Sequence, residues 1–222
     1  RALEIWRSVL GESHPNFASS LNNLANIYFA QSDYARAEEY SLWALEIRRS
    51  VLGELHPDFA KSLNNLALIY NNQGNFYVAE EYHLRALEIW RSVLGESHPN
   101  FALSLENLAV NCSDQGDYSI AEEYYLRALE IRRSVLGESH PDFAKSLKNL
   151  ANNYSAQGDY AKAVDYRRRH LALERQLIAE SFVGMTAHQR SLFWELKNDA
   201  FASVADLAVS APEEKGVGAL AY

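Results

Sequence analysis

The stretch Pro57–Gly95, PDFAKSLNNLALIYNNQGNFYVAEEYHLRALEIWRSVLG, decides the fold. Phe59, Leu63, Leu66, Ala67 and Tyr70 recur at spacings of three and four, which predicts a helix with one apolar stripe. Pro57 stands where a first helical turn tolerates proline, since its missing N–H would have no partner there anyway. Gln73-Gly74 closes this helix, because glycine adopts the left-handed closing conformation without a steric penalty. A second helix is predicted from about Phe76 to Leu94, through Ala79, Tyr82, Ala86, Leu87 and Ile89, with its stop at Gly95. Small side chains at Ala67, Ala79 and Ala86 let the two helices approach closely. No β-branched alternating run occurs anywhere, so the fold class read from the sequence is all-α.

Outward from this stretch, the sequence repeats. The phrase LGExHP occurs at Leu10, Leu52, Leu94 and Leu136, a period of 42 residues. The units are Ala2–Trp43, Ala44–Arg85, Ala86–Arg127 and Ala128–Arg169. A longer period overlies the first: residues 1–18 are identical to residues 85–102, and IRRSVLGE and HPDFAKSL occur only in the second and fourth units. Units therefore alternate in type, as duplication of a two-repeat block would leave them. Eight repeat helices are expected, plus the fragment of a ninth at the start. Because Arg1 falls inside the phrase RALEIWRSVLG, the chain reads as a piece of a longer protein. No charged segment followed by an apolar run marks a signal peptide.

Composition narrows the function classes. The 222 residues are 48% hydrophobic and 23% charged, enough apolar material for a sizeable core. A net charge of −8 argues against nucleic acid as a partner, since phosphate binding rests on clustered Lys and Arg. The single cysteine, Cys112, excludes a disulfide framework and a cysteine-based zinc site. The longest uncharged stretch, Ser13 to Ser32, is rich in Asn and Ser and does not read as a membrane span. Together these features suggest a soluble, cytoplasmic protein with no membrane association.

The repeated pattern N-L-A-x-x-Y-x-x-Q-G-x-[YF]-x-x-A-E-x-Y-x-x-R-A-L-E-I resembles the tetratricopeptide repeat (TPR). The 42-residue length and the LG-x-x-HPD/N connector are similar to the kinesin-light-chain type. The resemblance covers residues 1–169. It implies a right-handed α-solenoid whose first helices line a concave groove and whose second helices form the convex back. It also implies recognition of a protein or an extended peptide in that groove.

On that packing, the groove-facing positions follow. Asn23, Asn65, Asn107 and Asn149 form one invariant tier, and an amide that both donates and accepts suits the backbone of an extended peptide. The neighbouring tier is Asn22, Asn64, Glu106 and Lys148. One turn earlier lie Ser19, Lys61, Leu103 and Lys145, and one turn later Asn26, Leu68, Val110 and Asn152. The acidic pairs Glu38-Glu39, Glu80-Glu81 and Glu122-Glu123 fall on second helices, which leaves a neutral groove turning basic at Lys145 and Lys148. An acidic peptide or a C-terminal carboxylate would suit that end. Against this stands a bland reading, in which the repeated Asn only shape turns and the lysines are solvated.

Other features look chemical without supporting chemistry. His14, His56, His98 and His140 recur every 42 residues before proline, too far apart for shared metal coordination, and are expected to support the turn into each first helix. Cys112 replaces Tyr28, Tyr70 and Tyr154 at a position expected to face the core. Tyr40, Tyr82, Tyr124 and Tyr166 recur at packing positions. Trp6 and Trp90 exchange with Arg48 and Arg132, which predicts a surface-tolerant site. No Gly-rich phosphate loop, HExxH or GxSxG is present. No catalytic residue, metal or cofactor is assigned, and the chain is read as non-enzymatic.

After Arg169 the repeat breaks. A helical extension and cap is expected over residues 170–209, through Leu171, Leu173, Leu177 and Ile178, with Thr186–Gln189 opening a new helix. Residues 210–222 read as a connector. The stretch LIAESFVGMTAHQRSLFWELKNDAFASVADLAVSAP, Leu177–Pro212, resembles the connector preceding the caspase-like CHAT domain of TPR–CHAT proteins. That resemblance implies the sensing or targeting arm of a protease whose catalytic domain would follow. The other reading is a structural or oligomerisation scaffold, its groove filled by residues 188–209 or by another copy. Leu3, Ile5 and Leu10, on the severed first helix, would favour self-association.

Overall fold

The computed structural model describes residues 14–181 and Thr186. Eight helices occupy the described residues: α1 (Pro15–Ala30), α2 (Tyr34–Leu52), α3 (Pro57–Asn72), α4 (Phe76–Leu94), α5 (Pro99–Gln115), α6 (Tyr118–Leu136), α7 (Pro141–Gln157) and α8 (Tyr160–Ser181). The second-unit helices thus begin and end within a residue of where the sequence places them. Two compact units are distinguished, Arg1–Glu174 and Arg175–Tyr222. In the second, the described residues are the last turns of α8 and Thr186. The expected ninth helical fragment, with Leu3, Ile5, Trp6 and Leu10, lies outside the described residues, as does the expected cap helix after Thr186.

Local chemistry sets the helix starts. His14, His56, His98 and His140 each stand at an N-cap with extended backbone, and each Nδ1 accepts the backbone N–H two residues on at 3.1 Å. The proline that follows occupies the first helical position, where no N–H is needed. The recurring histidines are therefore caps. Where α3, α5 and α7 end, Gly74, Gly116 and Gly158 adopt φ of 80–90°. The equivalent residue after α1 is Ser32, at φ 59°, a left-handed conformation that costs an L-residue about 1 kcal/mol.

α1, α3 and α5 each pack against their own second helix, α3, α5 and α7 against the second helix before them, and α3 also touches α5 directly, while Tyr154 on α7 stacks on Tyr166 of α8. This is one-dimensional stacking, an all-α solenoid in which every unit depends on its neighbours. Ala67, Ala79 and Ala86 are fully buried, as close approach requires. One apolar cluster joins Phe59, Leu63 and Ile89 to Phe101 and Leu105 through Trp90; another gathers Phe17, Leu21, Ala44 and Ile47. Tyr28 stacks on Tyr40, Tyr70 on Tyr82 and Tyr154 on Tyr166, with centroids 5.4–5.5 Å apart. In the third unit Cys112 takes the first ring's place beside Tyr124. Cys112 is buried, and desolvation together with Glu80 and Asp117 pushes its thiol up to about 11, so it stays protonated and unreactive.

Candidate functional site

The sequence-predicted positions fall on two surfaces rather than one. Ser19, Lys61, Leu103 and Lys145 are exposed, the last three as long side chains on α3, α5 and α7. Asn23 is exposed, and Asn65, Asn107 and Asn149 are partly exposed one turn further on. Asn26 and Asn152 are exposed, and Leu68 and Val110 partly so. These residues form a continuous stripe at spacings of four and three along each first helix. No hydrogen bond to another described residue engages the side chains of Asn23, Asn65, Asn107 or Asn149. Asn152 Oδ1, by contrast, accepts from Arg167 Nη2 at 2.7 Å, which adds a guanidinium beside the exposed Lys145 and Lys148.

The neighbouring tier needs correction in three of its four members. Asn22, Asn64 and Glu106 are at most 7% exposed, and only Lys148 is open. The three are turned into seams between successive units, where their polar atoms are used internally. The seam between α2 and α3 is built on Arg48. With its amide oriented by this network, Asn22 Oδ1 accepts from Arg48 Nη1 at 2.6 Å and from Nη2 at 3.0 Å. Nη1 also donates to Ser62 Oγ at 2.6 Å and to the Asp58 carbonyl at 3.1 Å. Burial lowers the Arg48 guanidinium below its ordinary value, opposed by the charge of Asp58.

The seam between α6 and α7 repeats this design with a carboxylate. Arg132 Nη1 donates to the Asp142 carbonyl at 2.7 Å and to Ser146 Oγ at 3.2 Å. Glu106 Oε2 lies 2.9 Å from Arg132 Nη2, close in charge though off-line for a hydrogen bond, while Glu106 Oε1 accepts from Ser146 Oγ. Burial raises the Glu106 carboxyl, with Arg132 and Ser146 pulling it back.

Between α4 and α5 the seam is different again. Trp90 occupies the position of Arg48 and Arg132, and His83 is fully buried nearby on α4. Asn64 Nδ2 donates to Ser104 Oγ at 2.8 Å, and Asn64 Oδ1 pairs with His83 Nδ1 at 3.0 Å, which makes Nδ1 the protonated nitrogen. Burial drives His83 down to about 4, so it is neutral at pH 7. His83 Nε2 and Trp90 Nε1 are buried without a partner among the described residues.

The expectation that the Trp/Arg position tolerates solvent is thus overturned at the described residues: Trp90 is 4% exposed, Arg48 6% and Arg132 3%. Arg48 and Arg132 are accommodated because Ser62 and Ser146, with the carbonyls of Asp58 and Asp142, accept from them in a dry contact, whereas beside Trp90 the equivalent Ser104 accepts from Asn64 instead. Sequence reasoning also missed Ser62, Ser104 and Ser146, which recur at the 42-residue period and were the available signal. Glu38 and Glu122 likewise serve the seams, accepting the Tyr70 and Tyr154 hydroxyls at 3.0 and 2.7 Å.

The family model described as tetratricopeptide repeat matches residues 1–50, 58–134 and 101–176. No curated protein matches the chain. Among solved structures, BtubC (BKLC) from P. vanneervenii aligns with a TM-score of 0.65 and 27% identity, covering 74% of this chain. The chain spans 66% of the length of BtubC. A putative kinesin light chain of Podosopora anserina with nearly identical TPR-like repeats aligns, in one crystal structure, at TM-score 0.65 and 25% identity, covering 79% of this chain and 82% of that one. A second crystal structure from the same source aligns at TM-score 0.63 and 25% identity, covering 79% and 83%. Among the described residues no helix is long and apolar enough to cross a membrane.

Proposed function

The chain belongs to the tetratricopeptide repeat family, a class whose general task is protein interaction, and we propose that it binds an extended peptide or protein segment along the exposed stripe of its first helices. The observation that carries this reading is the ladder of Asn23, Asn65, Asn107 and Asn149: four amides at the repeat period, the first exposed and the others partly exposed, with no side-chain partner among the described residues. Amides so placed hydrogen-bond a peptide backbone without dictating its sequence. Lys61, Leu68, Leu103, Val110 and Asn26 flank the ladder and would set side-chain preference. Lys145, Lys148 and Arg167 make the α7–α8 end suitable for an acidic group or a terminal carboxylate.

The TPR fold is generally non-catalytic, and no reaction is assigned to these residues. The resemblance of Leu177–Pro212 to a CHAT connector supports a place as the sensing arm of a larger cytoplasmic caspase-like protease; a His/Cys domain encoded directly downstream would bear this out. Replacing both Asn107 and Asn149 by Ala is expected to weaken peptide binding about tenfold or more while the far-UV circular dichroism stays unchanged. Unchanged affinity by calorimetry in the folded variant would falsify the groove assignment.

A further inference from the structure

Arg48 and Arg132 hold the same place in two seams and differ in one partner. Around Arg132 the charge is matched by Glu106 at 2.9 Å. Around Arg48 every described group within hydrogen-bond reach is neutral: Asn22, Ser62, the Asp58 carbonyl and Ser19. The carboxylate of Asp58 acts on Arg48 only through space, and its side chain is 54% exposed at the start of α3. A guanidinium this deeply buried without a contacting carboxylate keeps its full positive field, since dipoles solvate a charge without cancelling it.

That field has an outlet. Arg48 Nη2 reaches Ser19 Oγ at 3.5 Å, the outer limit of a hydrogen bond, and Ser19 stands on the exposed face of α1. Ser19 Oγ donates to the Pro15 carbonyl at 3.2 Å, which leaves its lone pairs toward the guanidinium. Lys61, next to Ser62 in sequence, brings a second cation to the exposed face of α3. Lysine also stands at Lys145 beside the Arg132 seam, but there Glu106 cancels the buried charge.

We propose that the α2–α3 seam forms a carboxylate-binding subsite of Ser19, Arg48 and Lys61, which takes an acidic side chain of a bound peptide. It rests on the reading of the first-helix stripe as a peptide groove, and it sits toward the opposite end from Lys145 and Lys148. An incoming carboxylate replaces the long Ser19 contact with a charge-assisted hydrogen bond to Nη2, supplying to Arg48 what Glu106 supplies to Arg132.

The molecule itself provides the template for a test. Asn22→Glu places a carboxylate where Glu106 stands and should satisfy Arg48 from within. The probes are a blocked, labelled octapeptide alternating Glu and Gly and the same peptide with Gln for Glu, compared by fluorescence anisotropy at low salt. Asn22→Glu is expected to reduce the Glu-over-Gln preference about tenfold, with a melting temperature no lower than wild type. Asn22→Gln, which adds no charge, should leave the preference unchanged. Glu106→Asn copies the Arg48 surroundings onto Arg132 and should raise the preference. Affinity for the Gln peptide reports on the groove itself, so the two readings fail separately. An unchanged preference in folded Asn22→Glu, or no rise in folded Glu106→Asn, overturns the subsite.

Discussion

The α4–α5 and α6–α7 seams join near-identical helices at equivalent positions, yet one is held by an indole and a neutral histidine and the other by a buried ion pair. Trp90 extends the apolar cluster from one unit into the next, and the polar link beside it is the chain His83–Asn64–Ser104. Arg132 spans the same gap by reaching two acceptors and a carboxylate on α5 and α7. The two solutions fill similar space but fail differently. Loss of packing leaves a cavity, whereas loss of one charge leaves the other stranded in a dry contact. The α2–α3 seam falls between them, with a buried cation and neutral partners.

The largest expected effect strands a charge. Arg132→Met leaves Glu106 buried without its counter-ion and should cost about 3–5 kcal/mol, with reduced hydrogen-exchange protection confined to helices flanking that seam. Combining Arg132→Trp with Glu106→Asn transplants the α4–α5 pair and should recover most of this loss in urea titrations followed by circular dichroism. A double variant no more stable than the single one would show that the seams are not interchangeable.

Acid should separate the two seams next. His83 titrates at about 4 in the folded protein against an ordinary 6.5, so the unfolded chain takes up the proton first as pH falls. The stability it contributes is complete above the unfolded value and is lost as pH drops through the folded one, about 3 kcal/mol in all. Glu106 has the opposite sign: its raised carboxyl is protonated first in the folded state, so lowering pH through that value relieves its burial. His83→Gln keeps a donor toward Asn64 without titrating, and its stability should fall less than wild type between about pH 7 and pH 4. Parallel pH profiles for the two proteins would remove His83 as the source.

The smallest effect tests the intermediate seam. Arg48→Met removes the cation and leaves only neutral acceptors, so it should cost no more than about 1–2 kcal/mol, well below Arg132→Met. Equal losses at the two sites would mean that Glu106 does not distinguish the seams.

Much of the fold was legible because it depends on short-range chemistry. The spacing of Phe59, Leu63, Leu66 and Tyr70 gives a helix and its buried stripe, and His-Pro and Gln-Gly mark the ends of first helices. The exposed or partly exposed tier of Asn23, Asn65, Asn107 and Asn149 lies on the face away from that stripe, so it too could be read from the period. The adjacent tier could not. Asn22 and Asn23 are consecutive, about 100° apart around the helix, and that rotation turns one into the seam. Polarity alone suggested exposure for Asn64, Glu106, Arg48 and Arg132, because an amide or a charge is buried only where partners await it.

The sequence by itself determined the 42-residue period, the helices with their caps, and the alternation of two unit types. Those follow from backbone geometry and from contacts within a few turns. Only the tertiary structure decided which polar residues are spent between units and which remain for a partner. Arg48 meets Ser62, Glu106 meets Ser146 and Asn64 meets His83 across separations of 14–40 residues. Whether a buried charge is cancelled depends on the residue brought opposite it, and stacking one helix pair on the next is what makes that choice.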